Sequence, residues 1–314
     1  MSEMRATMAR QPQALAALLR DDREVAAVAE RLRGRRVLVV GTGTSWHAAN
    51  QSAAFLRLAG VDASARQSAD VALDGPPPAA GEVLVAMTHT GSRKRFTAQV
   101  VHDARAAGAD VVQVSGRAIE EADLHTVEQE RSAAYTASHT AALLRMAQVA
   151  VALGADLPLE RVPGAVQAVL EDGRPPFRPP GRLIEYVGGG INAWTAAEGA
   201  LKVRETSYVA SEGLGVEQFL HGPMVALGTR DHLVCLDGGG PWSERIAEVA
   251  RAAAASGTPV TRITASTLGE PLSVFPLTVA VQRIALESAE ALGTNPDSFG
   301  RDVPGREPWA AVAL

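Results

Sequence analysis

Short runs of β-branched residues alternate along this chain with glycine turns and alanine-rich helical patterns, and this alternation constrains the fold most. The runs are RRVLVV, EVLVAM and DVVQVSG in the first half and LIEYVGGG, HLVCLD and PVTRIT in the second. Strands that alternate with helices at this spacing form βαβ units around a parallel sheet. The sequence therefore predicts an α/β fold.

The second half of the chain opens like the first. At a fixed offset of 147 residues, Gly41 aligns with Gly188, and the same shift aligns Gly43, Ala53 and Arg57 with Gly190, Ala200 and Arg204. This correspondence indicates an internal duplication. We expect two tandem, doubly wound (flavodoxin-like) parallel-sheet domains at residues 35–170 and 183–290. A helical segment (1–34), a proline-rich linker (171–182) and a C-terminal tail (291–314) complete the predicted organisation.

Composition narrows the class of ligand. The 314 residues carry a net charge of −5 without a Lys/Arg block, which argues against nucleic acid. The sequence contains no apolar run of 18 residues, so it predicts no membrane span. The N-terminus lacks a signal-peptide pattern, so we expect a cytoplasmic protein. The lone Cys235 lies in an apolar run and is expected to be a buried strand thiol. With one cysteine and scattered histidines, no metal is expected, and a small molecule is the expected ligand.

Two glycine turns rich in hydroxyls follow predicted strands. The first, GTGTSWHAAN, offers Thr42, Thr44 and Ser45 at the start of a helix, where backbone N–H groups favour an anion. A dinucleotide fingerprint needs a third glycine where Trp46 stands, so NAD is disfavoured. The second turn, THTGSRKR, supplies Thr88, Thr90 and Ser92 beside Arg93, Lys94 and Arg95. Either turn alone could be a helix N-cap, whereas the two together favour a phosphate.

The stretch EGALKVRETSY places three charged side chains on one helical stripe. Glu198, Lys202 and Glu205 fall within about 60° of one another at 100° per residue. Taken as a bare helix, this pattern favours a solvated surface ion pair over a catalytic group. The segment SEGLGVEQFLHGP that follows is polar and glycine-rich and leads to His221, which is more typical of a site than of a core.

These motifs resemble the sugar isomerase (SIS) proteins. The quoted residues GTGTSWHAA, THTGS and EGALKVRETSYVASEGLGVEQFLHGP are most similar to the isomerase part of glucosamine-6-phosphate synthase and to aminosugar-phosphate deaminases without a glutaminase. The resemblance covers roughly residues 35 to 300. It implies two tandem SIS domains, no cofactor, and an enzyme that moves a proton between C1 and C2 of a ketose, aldose or aminosugar phosphate. It also implies a homodimer whose sites are shared between subunits.

The resemblance assigns roles to individual residues. Glu205 would be the base, Lys202 would assist charge development in the enediol or enolamine, and His221 would open the sugar ring from the partner subunit. The phosphate would lie on Ser45, Thr88 and Thr90, with Thr44 and His89 close by and Arg93 as a further contact. Residues expected beside the sugar are Thr42, Ala134, Tyr135, Thr136, Glu198 and Arg301.

The sequence departs from the family pattern at three places. The family's phosphate turn usually continues with Gly-Glu-Thr or a similar run, whereas Gly91 is followed here by Ser92 and Arg93. The glutaminase domain is missing, so no glutaminase activity is expected. No lysine follows Lys202, so Arg301 or Arg306 would replace the lysine of the family's tail, and an arginine cannot form a Schiff base. Isomerisation and deamination both stay open. The alternatives are a non-catalytic sugar-phosphate sensor and, with less support, an NAD(P)-dependent oxidoreductase.

Overall fold

The computed structural model describes residues 1–91, 95–310 and 312. The predicted phosphate contact of Arg93, with Ser92 and Lys94, lies outside the described residues. Within them, the strands form two parallel sheets, which confirms the α/β prediction. Two helices lie at the ends of the chain, α1 (Glu3–Leu18) and α12 (Glu307–Ala310). No helix in the described part of the chain is long and apolar enough to cross a membrane.

The first sheet has the strand order β2-β1-β3-β4-β5. Its strands are β1 (Val37–Gly41), β2 (Ala63–Gln67), β3 (Val83–Met87), β4 (Asp110–Ser115) and β5 (Leu124–His125). Its helices are α2 (Arg23–Leu32), α3 (Thr44–Leu58), α4 (Ser68–Asp74), α5 (Arg95–Ala106) and α6 (Ala137–Ala152). They belong to one compact unit, here the β1 unit, made of Gln13–Glu130, Ala137–Glu160 and Pro308–Leu314.

The second sheet has the strand order β7-β6-β8-β9. Its strands are β6 (Leu183–Gly188), β7 (Ala210–Gly215), β8 (His232–Asp237) and β9 (Val260–Thr264). Its helices are α7 (Val162–Glu171), α8 (Asn192–Thr206), α9 (Val216–Leu220), α10 (Ser243–Ala255) and α11 (Val274–Leu292). This second compact unit, here the β6 unit, is made of Met1–Pro12, Arg131–Thr136 and Arg161–Glu307.

Five of the predicted apolar runs form interior strands, and the sixth, PVTRIT, forms β9 at an edge of the second sheet. Strands β3 and β8 are buried along almost their whole length, because helices cover both faces of a parallel sheet. Cys235 on β8 is fully buried, as expected, and burial raises the pKa of its thiol to about 12. The polar segment after α8 forms an edge strand, β7, followed by the short helix α9.

Matching glycines shape the strand-to-helix turns of both units. A Cβ on Gly41 would lie 2.3 Å from the backbone oxygen of Ser45, and one on Gly188 would lie 2.2 Å from that of Asn192. Only glycine lets the helix start so close to the strand end. The glycine two residues later has positive φ in both turns, 59° at position 43 and 52° at position 190.

Candidate active site

The charged stripe of α8 is buried rather than solvated. The ammonium nitrogen of Lys202 lies 2.5 Å from Oε2 of Glu205 and 3.4 Å from Oε1 of Glu198. Glu198 has no exposed surface and Lys202 is 1% exposed, whereas the side chain of Glu205 is 13% exposed. Burial of three ionisable groups is costly and uncommon unless they are paired or functional. The surface ion pair is therefore excluded.

The exposure of the three side chains separates their possible roles. The sealed carboxylate of Glu198 can hold Lys202 in place but cannot meet a ligand from solvent. The Glu205 carboxylate reaches the surface while it accepts a hydrogen bond from the ammonium group. A carboxylate next to a hydrogen-bond donor is what proton abstraction beside a carbonyl requires, since the donor can stabilise the oxyanion that develops.

The end of α8 is fixed by hydroxyl groups. Oγ1 of Thr206 donates to the carbonyl oxygens of Lys202 and Ala285, at 2.8 and 3.1 Å, so α8 is bonded to α11. Oγ of Ser207 donates to the carbonyl of Val203. The chain then turns sharply at Tyr208, whose φ of 61° is unusual for a residue other than glycine.

The C-terminal tail packs on this turn. The Tyr208 hydroxyl lies 3.0 Å from Oγ of Ser298, and the Arg306 guanidinium lies over the Tyr208 ring, 4.7 Å from its centroid. The position of Arg306 is therefore set by an aromatic ring. Arg301 is exposed, and its backbone N–H donates to the carbonyl of Ser298. Both arginines are exposed.

Residues 131–136, here the sugar-contacting loop because they include the predicted sugar contacts Ala134, Tyr135 and Thr136, belong to the same unit as α8. Ala134 is buried in a core cluster with Tyr186 and Val281, and the N–H of Ala133 donates to the carbonyl of Asp297. Thr136 has no exposed surface, whereas Tyr135 is half-buried. Of the three predicted sugar contacts, Tyr135 thus has the most accessible side chain.

His221 is not part of the buried cluster. Its side chain is 79% exposed, and its Nε2 lies 4.0 Å from Oε2 of Glu217. The next residues along the chain include Met224 and Val225, which are exposed apolar side chains. His221 therefore stands on the outer surface of this chain beside apolar residues.

The two hydroxyl turns lie at the carboxyl ends of two strands of the first sheet. They follow β1 and β3, which are paired neighbours, so their carboxyl ends meet. Thr44 is the first residue of α3, and Thr42 is exposed while Ser45 is half-buried. The N–H of Ser45 donates to the carbonyl of Thr42 at 3.2 Å. This turn presents hydroxyl groups at the N-terminus of a fifteen-residue helix.

The second turn is more enclosed. Thr88 is buried, and its Oγ1 donates to the carbonyl of Gly91 at 2.8 Å, while Thr90 is half-buried. Burial lowers the pKa of His89, and nearby Glu130 only partly offsets the effect. Nε2 of His89 accepts the Glu130 backbone N–H at 3.3 Å, so the neutral ring carries its proton on Nδ1. His89 is therefore a neutral donor rather than a cation beside the turn.

Two buried polar residues of the β6 unit were not predicted. Gln282 on α11 bonds the 131–136 loop, and Glu185 on β6 is 2% exposed, with no hydrogen-bond partner for Oε1 among the residues that the structure describes. Neither belongs to a motif, so no local signal could have revealed them. Within residues 1–91, 95–310 and 312, no group of three or more His, Cys, Asp or Glu side chains could hold a metal ion.

Comparisons with solved structures identify the fold. The structure is similar to that of a putative phosphosugar isomerase from Silicibacter pomeroyi, with a TM-score of 0.80, 22% identity and coverage of 95% of this chain and 100% of that chain. The chain has the fold of the phosphosugar isomerases. Tagatose-6-phosphate ketose/aldose isomerase from Escherichia coli is also similar, with a TM-score of 0.79, 18% identity and 95% coverage of both chains. The resemblance to the SIS proteins is confirmed.

Sequence relatives lead to the same group. No protein-family model matches the chain. Glutamine–fructose-6-phosphate aminotransferase (isomerizing) from Aquifex aeolicus is 28% identical over 210 residues, which are 62% of this chain and 36% of the relative. The enzyme of the same name from Pyrococcus horikoshii is 26% identical over 242 residues, 69% of this chain and 40% of the relative. The matched regions thus span well under half the length of these curated relatives.

Proposed function

We propose that this chain is a phosphosugar isomerase or aminosugar-phosphate deaminase that transfers a proton between C1 and C2 of its substrate. The observation that carries the proposal is the buried Glu198–Lys202–Glu205 cluster, in which Glu205 alone is partly open to solvent. Glu205 takes the proton from the carbon beside the carbonyl, and the Lys202 ammonium stabilises the developing enediol or enolamine oxygen. The carboxylate of Glu198 keeps the ammonium group of Lys202 in position.

The hydroxyl turns are the proposed phosphate site. Ser45, Thr88 and Thr90 bind the phosphate, helped by the N-terminus of α3 and by Thr44 and His89. The side chain of Tyr135 and the backbone of Ala134 and Thr136 contact the sugar. The pairing of β1 with β3 supports this assignment, because open α/β sheets bind ligands where neighbouring parallel strands end.

We also propose that the functional form is a homodimer. The exposed side chains of His221, Met224 and Val225 support this, because a histidine that is close in sequence to exposed apolar side chains is accessible to a second subunit.

The tandem, doubly wound organisation is proposed with the domain bounds 35–170 and 183–290. The strand orders support it, because β7-β6-β8-β9 repeats the pattern of β2-β1-β3-β4. Strand β2 shifted by 147 residues starts where β7 starts, and α3 shifted by the same amount overlaps α8 almost completely. The matching glycine turns support the same duplication.

Turnover of a substrate panel tests the proposed activity. The purified protein is incubated with fructose 6-phosphate, tagatose 6-phosphate and glucosamine 6-phosphate, and the sugars and released ammonia are quantified. Ketose–aldose conversion without ammonia supports an isomerase, and ammonia release from the aminosugar supports a deaminase like the structurally similar Thermotoga maritima enzyme (TM-score 0.77, 18% identity, 95% of this chain and 97% of that chain). Tight binding of a sugar phosphate by folded protein without any turnover would favour the sensor instead.

A further inference from the structure

A chain of buried amides reaches the predicted sugar-contacting loop. Nε2 of Gln282 donates to the carbonyl oxygen of Thr136 at 3.2 Å, and Oε1 of Gln282 accepts from Nε2 of Gln11 at 2.8 Å. None of these three residues has exposed surface. Helices α1 and α11 thus hold the loop through side chains that solvent does not reach.

Because this amide chain is buried, the loss of one of its hydrogen bonds is costly. Val281 and Ile284, beside Gln282 on α11, belong to the core cluster that also contains Ala134. A buried carbonyl that loses its donor is left without a hydrogen bond that solvent could replace, which is costly. The Thr136 carbonyl is therefore confined to the place where Gln282 can reach it.

The same helix fixes α8. Ala285, three residues after Gln282, accepts the hydroxyl hydrogen bond of Thr206, which follows Glu205 directly. Residues three apart lie on one side of a helix, so the two contacts start from neighbouring points of α11. The loop and the end of α8, next to the proposed base, are thereby bonded to one helix.

We propose that Gln282 is a positioning residue that sets the sugar-contacting loop at the correct distance from Glu205. The proposal rests on the function above, in which residues 134–136 contact the sugar. Gln282 touches no ligand; it acts through the Thr136 backbone. A displaced loop weakens recognition of the sugar but leaves the phosphate turns, which belong to the β1 unit, unchanged.

Gln282→Met keeps the side-chain volume and removes both hydrogen bonds. Gln148→Met is the matched control, because Gln148 is also a buried glutamine whose Nε2 donates to a backbone carbonyl, that of Leu18, but in the β1 unit. Binding of inorganic phosphate and of each panel sugar phosphate is measured by calorimetry. We expect Gln282→Met to raise the sugar-phosphate Kd on the order of tenfold with the phosphate Kd unchanged, and Gln148→Met to change neither.

Hydrogen exchange provides a readout that does not depend on a substrate. Gln282→Met should speed exchange of the amides of residues 133–137 and leave those of α8 protected. If Gln282→Met folds poorly, Gln282→Asn takes its place in the test. The asparagine keeps the amide but is too short to reach the Thr136 carbonyl, so it should also speed exchange of the loop amides. The positioning role is overturned if the loop amides of Gln282→Met exchange at the wild-type rate. It is also overturned if this variant loses phosphate binding and sugar-phosphate binding equally. Failure of the wild type to bind any sugar phosphate would instead reject the proposed function.

Discussion

The ammonium nitrogen of Lys202 lies 2.5 Å from Oε2 of Glu205, one helical turn further along α8. Because a second carboxylate, that of Glu198, lies 3.4 Å from the same nitrogen, the cluster carries two negative charges and one positive charge when all three groups are ionised. The positive charge is therefore shared between two carboxylates. Of these two carboxylates, only that of Glu205 is partly exposed to solvent.

The buried carboxylate of Glu198 should contribute more to the free energy of unfolding than the partly exposed carboxylate of Glu205. Glu198→Gln should lower the free energy of unfolding on the order of 3 kcal/mol, because it removes a fully buried partner of Lys202. Glu205→Gln should cost less, since its side chain is partly solvated. Urea unfolding of the two variants checks this. An equal loss for both, or a larger loss for Glu205→Gln, would contradict the proposed division of roles.

A shared active site predicts complementation between inactive subunits. Glu205→Gln and His221→Ala each remove one proposed catalytic group, so each homodimer should be inactive. Refolding the two variants together should restore about a quarter of the wild-type activity, because random dimers contain one intact site in every four. Activity is measured after the mixed protein is separated from aggregates. A mixture as inactive as its components would show that His221 does not act across subunits.

Glu185 should make the stability depend on pH. Burial first, and then the neighbouring Glu212, raise its pKa from the ordinary 4.5 to about 8. Between these two values the folded chain holds a proton that the unfolded chain releases, so the free energy of unfolding falls as the pH rises from about 4.5 to about 8. Glu185→Gln should remove this fall. Urea unfolding across that pH range would contradict the account if the variant and wild-type curves stay parallel.

Equivalent glycines in the two units should respond alike to alanine. Gly41→Ala and Gly188→Ala both push a Cβ into a backbone oxygen, so each should lower the free energy of unfolding on the order of 3 kcal/mol. Gly164→Ala is the control, because it lies inside α7 with no heavy atom within 4 Å of its new Cβ. It should stabilise the helix by about 0.5–1 kcal/mol. Thermal unfolding of the three variants measures the contrast.

The sequence predicted the interior strands better than the edges. Strands such as β3 and β8 have apolar residues on both faces, which gives a continuous apolar run. The edge strands β2 and β7, with the sequences ASARQ and ASEGLG, are half-solvated and carry no such run. The apolar runs therefore placed the interior strands and the edge strand β9, and missed the edge strands β2, β5 and β7.

The site was predictable where a motif is local and not where distant residues meet. The stripe of α8 and the hydroxyl turns are contiguous, so spacing identified them. Helical spacing could not tell a solvated Lys202 from a buried one, because burial is decided by helices elsewhere in the chain. Gln282 and Thr136 are 146 residues apart in sequence, and nothing local marks either as a contact of the other.

Proton exchange at C2 tests the central claim most directly. The sugar phosphate that the wild type converts is incubated in D₂O with the wild type, with Glu205→Gln, and with Glu290→Gln, which replaces an exposed glutamate outside the site. The account predicts C2 deuterium with the wild type and Glu290→Gln, and a loss on the order of 10²–10⁴-fold with Glu205→Gln at unchanged ligand affinity. Wild-type deuterium incorporation by folded Glu205→Gln would contradict the assignment of Glu205 as the base.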